Sequence, residues 1–472
     1  MQPKLKVINP RTGTRDCDIV VALEADISQL AEQARKAQTA WRGLPLEKRC
    51  TALLHFADRL ESHSPDITKA LEVDTGRRRL AQTEVLGVIA NIRNWASIVP
   101  SLAPDTGWAQ GRSKPQFQHK NTWEPYGLVG IISPWNFPMT LSFIDAIPAL
   151  LAGACVIIKP SEITPRFANV LQPIIAGSEL ASILNIIQGD GQTGALLIDH
   201  VDCICFTGSV STGRKVAMRA AENLIPANLE LGGKDPLIIT ENAGIDQATT
   251  LALRASVLAT GQACQSIERI YVPENIHDNF VKVLTQKALA VRLNTPDISE
   301  GHIGPFIYSQ QAEIVSTHIA DAVAKGAVRH CGGDILRHGG GYWMEPTVLS
   351  CVTHDMKIMC EETFGPVMPV MAYGTIDEAI ALANDTNFGL SAAVFAGHLE
   401  EAEEIGQHIG AGAISLMDAA LTGQYFEAGK QSFKQSGLGA SRMGAEGFLR
   451  FFRQKAYIAN TQTPLELDDF SE

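Results

Sequence analysis

Apolar positions along the chain follow two different periods. Over residues 27–63 they recur at helical spacing, with Leu30, Ala31, Ala34 and Ala37 followed by Leu53, Leu54, Ala57 and Leu60, which predicts helix. Residues 65–99 continue that pattern, interrupted at Thr75-Gly76. Between about 100 and 124 the residues Pro100, Pro104, Gly107, Gly111 and Pro115 break the chain. The stretch Gln116 to Trp123 then alternates loosely, like an exposed strand.

From 125 to 240 the pattern changes. Continuous apolar runs occur at 128–132, 154–158, 182–187, 201–206 and 236–239, with helical stretches at 139–151, 166–176, 192–199 and 211–223. Strands that are apolar throughout and alternate with helices predict a parallel sheet covered on both faces, a Rossmann-like half. A second alternating block spans about 245–420. Its helical segments lie near 246–258, 277–291, 311–325, 376–384 and 399–408, and its strand-like runs near 268–272, 367–372, 391–396 and 412–416. The tail, 463–472, carries four acidic residues and no pattern, and is expected to be loose. No internal repeat is visible.

Length and composition narrow this picture. At 472 residues the chain is long enough for two or three domains. Hydrophobic residues at 45% with 19% charged are those of a soluble globular protein. A net charge of −12 argues against nucleic acid or an anionic membrane as partner. The most hydrophobic window, 139–158, contains Asp145 and Pro148, so it predicts a buried helix and strand rather than a membrane span. Nine scattered cysteines make no disulfide framework. Cys203 and Cys205 share one face of a strand and lack a second pair at zinc spacing, so no metal site is expected. The segment Met1-Gln2-Pro3-Lys4-Leu5-Lys6 has no apolar stretch behind it and shows no secretory signal. A cytoplasmic, reducing location is expected.

Candidate chemistry sits in three segments. Gly261-Gln262-Ala263-Cys264 offers a thiol, Leu229-Glu230-Leu231-Gly232-Gly233 a carboxylate, and Ser133-Pro134-Trp135-Asn136-Phe137-Pro138 a carboxamide. A nucleophile, a base and an amide donor suffice for acyl chemistry through a thioester. Each has a plainer reading: a buried inert cysteine, a carboxylate at a strand end, an Asn capping the following helix. Apolar neighbours of Glu230 would raise its pKa and make it a better base for water. Cys264 has no basic neighbour in sequence beyond Arg269.

As a set these segments resemble the NAD(P)-dependent aldehyde dehydrogenase superfamily, from about Glu124 to about Gly439, roughly two-thirds of the chain. The resemblance implies an α/β fold with a Rossmann-like nucleotide domain (1–106 and 125–232), an α/β catalytic domain (233–440) and a small bridging β arm (107–124 and 455–461) used for oligomerisation. It implies a homodimer or homotetramer that oxidises a small-molecule aldehyde to the carboxylic acid. Cys264 would be the nucleophile, Glu230 the base for water, and Asn136 an oxyanion donor. Lys159 and Glu162, in Lys159-Pro160-Ser161-Glu162, would contact the adenosine ribose. Phe206-Thr207-Gly208-Ser209-Val210-Ser211-Thr212-Gly213 resembles the family's pyrophosphate site, with Gly208, Ser209, Thr212 and Gly213 as contacts. Glu362 would hold the nicotinamide ribose and Phe364 would pack beside the nicotinamide. Ser133, Trp135, Ser161 and Leu231 complete the expected cofactor contacts. A carboxylate at Glu162 would accept from a free 2′-hydroxyl and repel a 2′-phosphate, so NAD is expected over NADP.

Gly189-Asp190-Gly191-Gln192-Thr193-Gly194 formally fits a dinucleotide fingerprint, but it lies in the third βα unit and is read as a turn. Asn387-Phe388-Gly389-Leu390-Ser391 matches a family segment read as structural. Three positions depart from the family: Ala259 and Met417, where Asn is usual, and Ser432-Phe433-Lys434, a reduced form of Pro-Phe-Gly-Gly-x-Lys. The last two lie where the family builds its substrate tunnel, so specificity does not carry over while catalysis is expected to. The alternatives are an inactive binding homologue and a coenzyme-A-acylating enzyme; the latter would not need Glu230.

Overall fold

Two largely parallel sheets carry the apolar runs of the chain, which a computed structural model describes over residues 2–102, 107–464 and 466–470. The first sheet has six strands in the order Gly437–Leu438, Ala227–Glu230, Cys203–Thr207, Leu128–Ile132, Cys155–Lys159 and Leu184–Ile186. Every pair is parallel except that of Gly437–Leu438 with Ala227–Glu230. The strand order reverses about Leu128–Ile132, whose neighbours are Cys155–Lys159 on one side and Cys203–Thr207 on the other. Such a reversal opens a crevice at the carboxyl ends of the strands. Ile132 is in register with Lys159 and Phe206, and Thr207 with Glu230. Ser133, Lys159, Gly208 and Leu231 therefore leave the sheet along one edge.

The second sheet has seven strands, in the order Val328–Cys331, Thr347–Ser350, Val367–Tyr373, Ile267–Pro273, Asp235–Ile239, Ala392–Phe395 and Ile414–Leu416. The run at 236–239, expected in the first half, belongs here: Asp235–Ile239 pairs with Ile267–Pro273 and Ala392–Phe395. An apolar run does not encode its neighbours, and the turn at Gly232-Gly233 carries the chain from one sheet to the other. At the far end, Gly437–Leu438 returns from the second unit to pair with the strand that ends in Glu230.

The helices follow the periodic stretches. Helix 27–63 is two helices, Glu24–Gly43 and Leu46–Ser62, because Pro45 disfavours the helical conformation at Leu44. Ser64–Thr75 ends at Gly76, whose φ of +66° is a left-handed cap. The helix Arg78–Leu102 runs through Pro100, an expected break, without the one hydrogen bond that a proline cannot donate. The pattern missed an N-terminal hairpin, Lys4–Ile8 with Arg15–Val20, in which Val7 and Ile19 are the buried residues. One apolar cluster surrounds the first sheet, and two cover the faces of the second.

A third sheet is antiparallel, with a mostly half-buried central strand and largely exposed outer ones: Ala109–Gln110, Phe117–Pro125 and Phe452–Asn460, with Phe117–Pro125 in the centre. Its C-terminal strand begins three residues before the expected 455, because Phe452 pairs with Pro125 and packs on Phe448. Part of the expected loose tail is a short 3-10 turn, Leu467–Phe470. Met1, Pro104, Leu465, Ser471 and Glu472, which enter the sequence expectations, lie outside the described residues. Among the described residues no helix is long and apolar enough to cross a membrane, and Asp145 and Pro148 lie in the buried helix Pro138–Ala152.

Candidate active site

Cys264 follows a turn in which Ala259, Thr260 and Gly261 are all left-handed, with φ of 57°, 63° and 67°. Such a conformation is strained for Ala and Thr and survives where its surroundings fix it. Gln262 does the fixing. Its buried amide donates to Ala259 O (3.1 Å) and Pro305 O (3.2 Å) and accepts from Ile307 N (2.9 Å). A Cβ at Gly261 would collide with the Gly365 carbonyl, so only glycine lets the two loops meet.

Asn136 reaches this turn from the other sheet. Its Nδ2 donates to Gln262 O at 3.0 Å, which leaves its second amide hydrogen for another acceptor. Arg77 donates to the Asn136 carbonyl and lies 5.2 Å over the Phe137 ring. Burial pulls the Arg77 guanidinium down to about 10, against the opposing charge of Glu84. The plainer reading of Asn136 as a helix cap fails, since the helix beginning at Pro138 has Phe137 at its cap position and no side-chain cap.

The glycines after Glu230 have a steric cause. A Cβ at Gly233 would strike the Cys264 carbonyl oxygen, and one at Gly232 the Glu362 carboxylate. The turn thus packs directly on the thiol's backbone and on the segment 361–366. That segment is braced by the buried pair Lys234–Glu268 (2.7 Å), with Glu268 accepting from Thr363 N (2.8 Å) and Phe364 N (2.7 Å). Glu362 in turn accepts from Gly233 N at 3.2 Å. Trp135 sits edge-on to Phe364, their centroids 5.4 Å apart.

Electrostatics correct the expected pKa of Glu230. Burial by itself would raise it. The Lys430 ammonium at 2.9 Å, the Arg442 guanidinium and a hydrogen bond from Ser432 (2.9 Å) outweigh burial and hold the carboxyl below the usual carboxylate range. The thiol goes the other way. Burial, and then the charges of Glu362, Asp235 and Glu230, push Cys264 up to about 12, with Lys430 opposing. Burial and Glu268 push Glu362 up to about 8. Arg269 is not a partner of the thiol: it is buried and donates to Lys234 O, Tyr271 Oη, Leu382 O and Ala383 O.

At the sheet edge, the residues expected to hold a dinucleotide divide into two groups. Lys159 is buried, with its Nζ 3.2 Å from the half-exposed Glu162, and burial lowers its pKa. Ser209 and Thr212 are exposed at the first turn of Val210–Glu222, where Ser209 caps Thr212 N (3.3 Å). Gly213 is where that helix meets Leu231, and a Cβ there would overlap the leucine. A cation, a carboxylate and a helix N-terminus beside the crevice fit a ribose and a diphosphate. Ser133 and Ser161 are instead turned inward: the Ser133 hydroxyl is bonded to Ser142 (2.7 Å) and that of Ser161 to Ile163 N (3.2 Å). In the fingerprint-like segment, Asp190 caps its own helix through Gln192 N (3.0 Å), placing an acid where a phosphate would need amides.

Sequence reasoning missed Lys430 and Ser432, although the reduced segment at 432–434 was the available signal. It also missed Gln262, Arg77 and the Lys234–Glu268 brace; nothing in the local pattern marks Arg77. Phe388–Gly389 pairs with Phe433–Lys434, and Lys434 Nζ donates to Asn384 O (2.9 Å) and Thr386 O (3.0 Å), so the two segments hold each other in place. Met417, with φ of +59°, packs against both apolar clusters of the second sheet.

Comparison with known proteins identifies the family. The sequence model of the aldehyde dehydrogenase family matches residues 1–457. A protein of Mycolicibacterium smegmatis, provisionally named a succinate-semialdehyde dehydrogenase [NADP(+)], is 36% identical over 464 residues, covering 97% of this chain and 88% of that protein. The structure of a provisionally named aldehyde dehydrogenase, PutA, from Anabaena variabilis superposes with a TM-score of 0.96 at 47% identity, covering 98% of this chain and 99% of that one. Betaine aldehyde dehydrogenase from Staphylococcus aureus, in complex with NAD+, gives a TM-score of 0.92 at 28% identity, covering 99% and 94%.

Proposed function

Because the chain belongs to the aldehyde dehydrogenase family, we propose that Cys264, Asn136 and Glu230 are the residues with which it oxidises an aldehyde to a carboxylic acid. The observation that carries this reading is the convergence of the three segments on one turn, with Asn136 bonded to Gln262 O two residues before the thiol (3.0 Å) and Gly233 set against the Cys264 carbonyl.

Cys264 Sγ adds to the aldehyde carbon, giving a thiohemiacetal. Asn136 Nδ2 and the Cys264 backbone N–H donate to the oxyanion. The nicotinamide, when bound, supplies the hydride acceptor. Loss of hydride from the thiohemiacetal leaves a thioester on Cys264. Glu230 takes a proton from water as it attacks the thioester carbonyl, which releases the acid and restores the thiol. Lys159, Glu162, Ser209, Thr212, Gly208, Gly213, Glu362, Phe364, Trp135 and Leu231 would hold the dinucleotide, together with the backbone of Ser133 and Ser161. The thiol's high pKa means that its deprotonation needs help from the assembled complex. The Asn136→Ala variant should lower kcat by about 10²–10³ with little change in cofactor affinity; a kcat within threefold of the native value would remove Asn136 from the reaction.

NAD is proposed over NADP because Glu162 places a carboxylate beside Lys159. In paired initial-rate assays with an aldehyde panel, NAD should be favoured in kcat/KM by at least about tenfold, equivalent to about 1.4 kcal/mol. Glu162→Gln should narrow the gap. An equal or higher value for NADP in the native protein would overturn the preference. The same assay, run with and without coenzyme A, tests the function: NADH with free acid as product supports hydrolysis, a coenzyme A thioester supports the acylating alternative, and silence across the panel supports the inactive homologue. The segments 1–106 and 125–232 are proposed as the nucleotide domain and 233–440 as the catalytic domain. The sheet of 107–124 and 455–461 is proposed to join subunits in a homodimer or homotetramer, since among the described residues no further strand pairs with its edges. A cytoplasmic location is proposed with it.

A further inference from the structure

From the contacts of Glu230 we infer that Lys430 is a positioning residue of the hydrolytic step, clamping one oxygen of that carboxylate so that the other faces the water. This deepens the proposed function and rests on it. Glu230 Oε2 receives both donors: Lys430 Nζ at 2.9 Å and Ser432 Oγ at 2.9 Å. Lys430 also donates to Ser432 Oγ at 3.1 Å, closing a three-membered network. Among the described residues no hydrogen bond reaches Glu230 Oε1. A carboxylate so held has one oxygen saturated and one lone-pair set free for a proton.

The clamp is built rather than adventitious. The Lys430 side chain is 7% exposed and that of Glu230 is 12% exposed. Lys430 N donates to Ser441 Oγ (3.1 Å), and just beyond Ser432 the chain enters two strand pairings: Phe433–Lys434 with Phe388–Gly389, and Gly437 opposite Glu230 itself. A Cβ at Gly412 would overlap the Gln431 carbonyl, so close backbone packing fixes the residue between Lys430 and Ser432. Ser432 opens the segment Ser432-Phe433-Lys434 in which the chain departs from the family's Pro-Phe-Gly-Gly-x-Lys, so the departure reaches the base.

The charges facing Glu230 all favour its ionised form. Lys430 touches it, Arg442 acts from behind while held by Asp145 (3.1 Å) and Thr207 (2.6 Å), and Arg450, also paired with Asp145, lies within electrostatic range. On the reacting side stand the Cys264 thiol and, acting on it in turn, the carboxyls of Glu362 and Asp235, the latter also within range of Lys430. Removing the Lys430 ammonium leaves burial less opposed, so the carboxyl titrates at higher pH and the rising limb of kcat moves up. Lys430 bears on Cys264 only through its field, so hydrolysis should suffer more than acylation.

Three variants of the full chain test this: Lys430→Met, Lys430→Arg and Ser432→Ala. Initial rates are followed from about pH 3.5 to 9.5, so that the window spans the carboxylate range, and acid-quenched samples taken during turnover are weighed by intact mass spectrometry. Lys430→Met should lose about tenfold or more in kcat, accumulate the Cys264 acyl adduct, and shift the limb up by about one unit or more. Lys430→Arg should recover most of kcat, and Ser432→Ala should shift the limb in the same direction by less, which keeps the test alive if Lys430→Met does not fold. A native kcat and pH profile in the Met variant would overturn the clamp, as would an equal loss of acylation and hydrolysis without adduct or pH shift. Failure of the native protein to form NADH through Cys264 would instead overturn the function on which the clamp rests.

Discussion

Replacing Cys264 by alanine is expected to cut NADH formation by at least about 10⁴-fold while leaving dinucleotide affinity within about threefold of native. Asn136 and the Gly233 turn converge on this position alone, whereas Cys203 and Cys205 are buried in a central strand. The expected retention of binding follows from geometry, since the candidate dinucleotide residues Lys159, Glu162, Ser209 and Thr212 stand on the other sheet. Turnover at 340 nm and quenching of protein fluorescence by the cofactor would be measured on the same preparation. Residual activity within a hundredfold of native would sink the nucleophile. The thiol has its own pH signature. Because burial and the facing carboxylates push it up to about 12, it is protonated at neutral pH in the cofactor-free protein. Its alkylation by iodoacetamide should therefore keep rising with pH through 9 and beyond. A plateau near neutrality would show a cation effect stronger than that of Lys430.

Replacing Glu230 by glutamine should produce the second-largest effect, and a different one. Acylation does not need the base, so a burst of about one NADH per site is expected, followed by steady turnover lowered by about 10²–10³. Glutamine keeps the size of the side chain and can still accept from Ser432, but it leaves the buried Lys430 ammonium without its counter-charge. That costs on the order of 1–3 kcal/mol of stability, so thermal denaturation should be run beside the stopped-flow trace. A variant that loses the burst with the steady rate would place Glu230 in acylation. One that keeps its steady rate would assign water activation elsewhere. In the native protein, the lowered carboxyl pKa of Glu230 keeps the base ionised from neutral pH downward, and activity should fall in acid only as that group takes up its proton.

How far the sequence was legible depended on the kind of information each element needed. The strands Leu128–Ile132, Cys155–Lys159 and Cys203–Thr207 were visible because burial on both faces demands uninterrupted apolar residues. Their helices showed through the 3.6-residue period. The hairpin Lys4–Ile8 with Arg15–Val20 was not legible, since Val7 and Ile19 are its buried residues while the neighbouring apolar Ile8 and Val20 are exposed, which blurs the alternation. Asp235–Ile239 was legible as a strand and misplaced as a neighbour, because its membership of the second sheet is set by pairing partners distant in sequence.

The same division runs through the site. Cys264, Glu230 and Asn136 were marked by local motifs whose glycines and prolines record steric demands at each place. The pKa of Glu230 was expected to rise on the strength of Leu229 and Leu231, and it falls. The charge that reverses it comes from Lys430, 200 positions away in the chain. By itself the sequence determined the two alternating blocks, the family and the candidates proposed for the reacting side chains, because those depend on periodicity and on local backbone constraints. Only the tertiary structure decided the state of those side chains: the clamped oxygen of Glu230, the protonated thiol and the tethered Asn136. Each is set by Coulomb and desolvation energies that depend on distance in space, and folding alone brings those distances about.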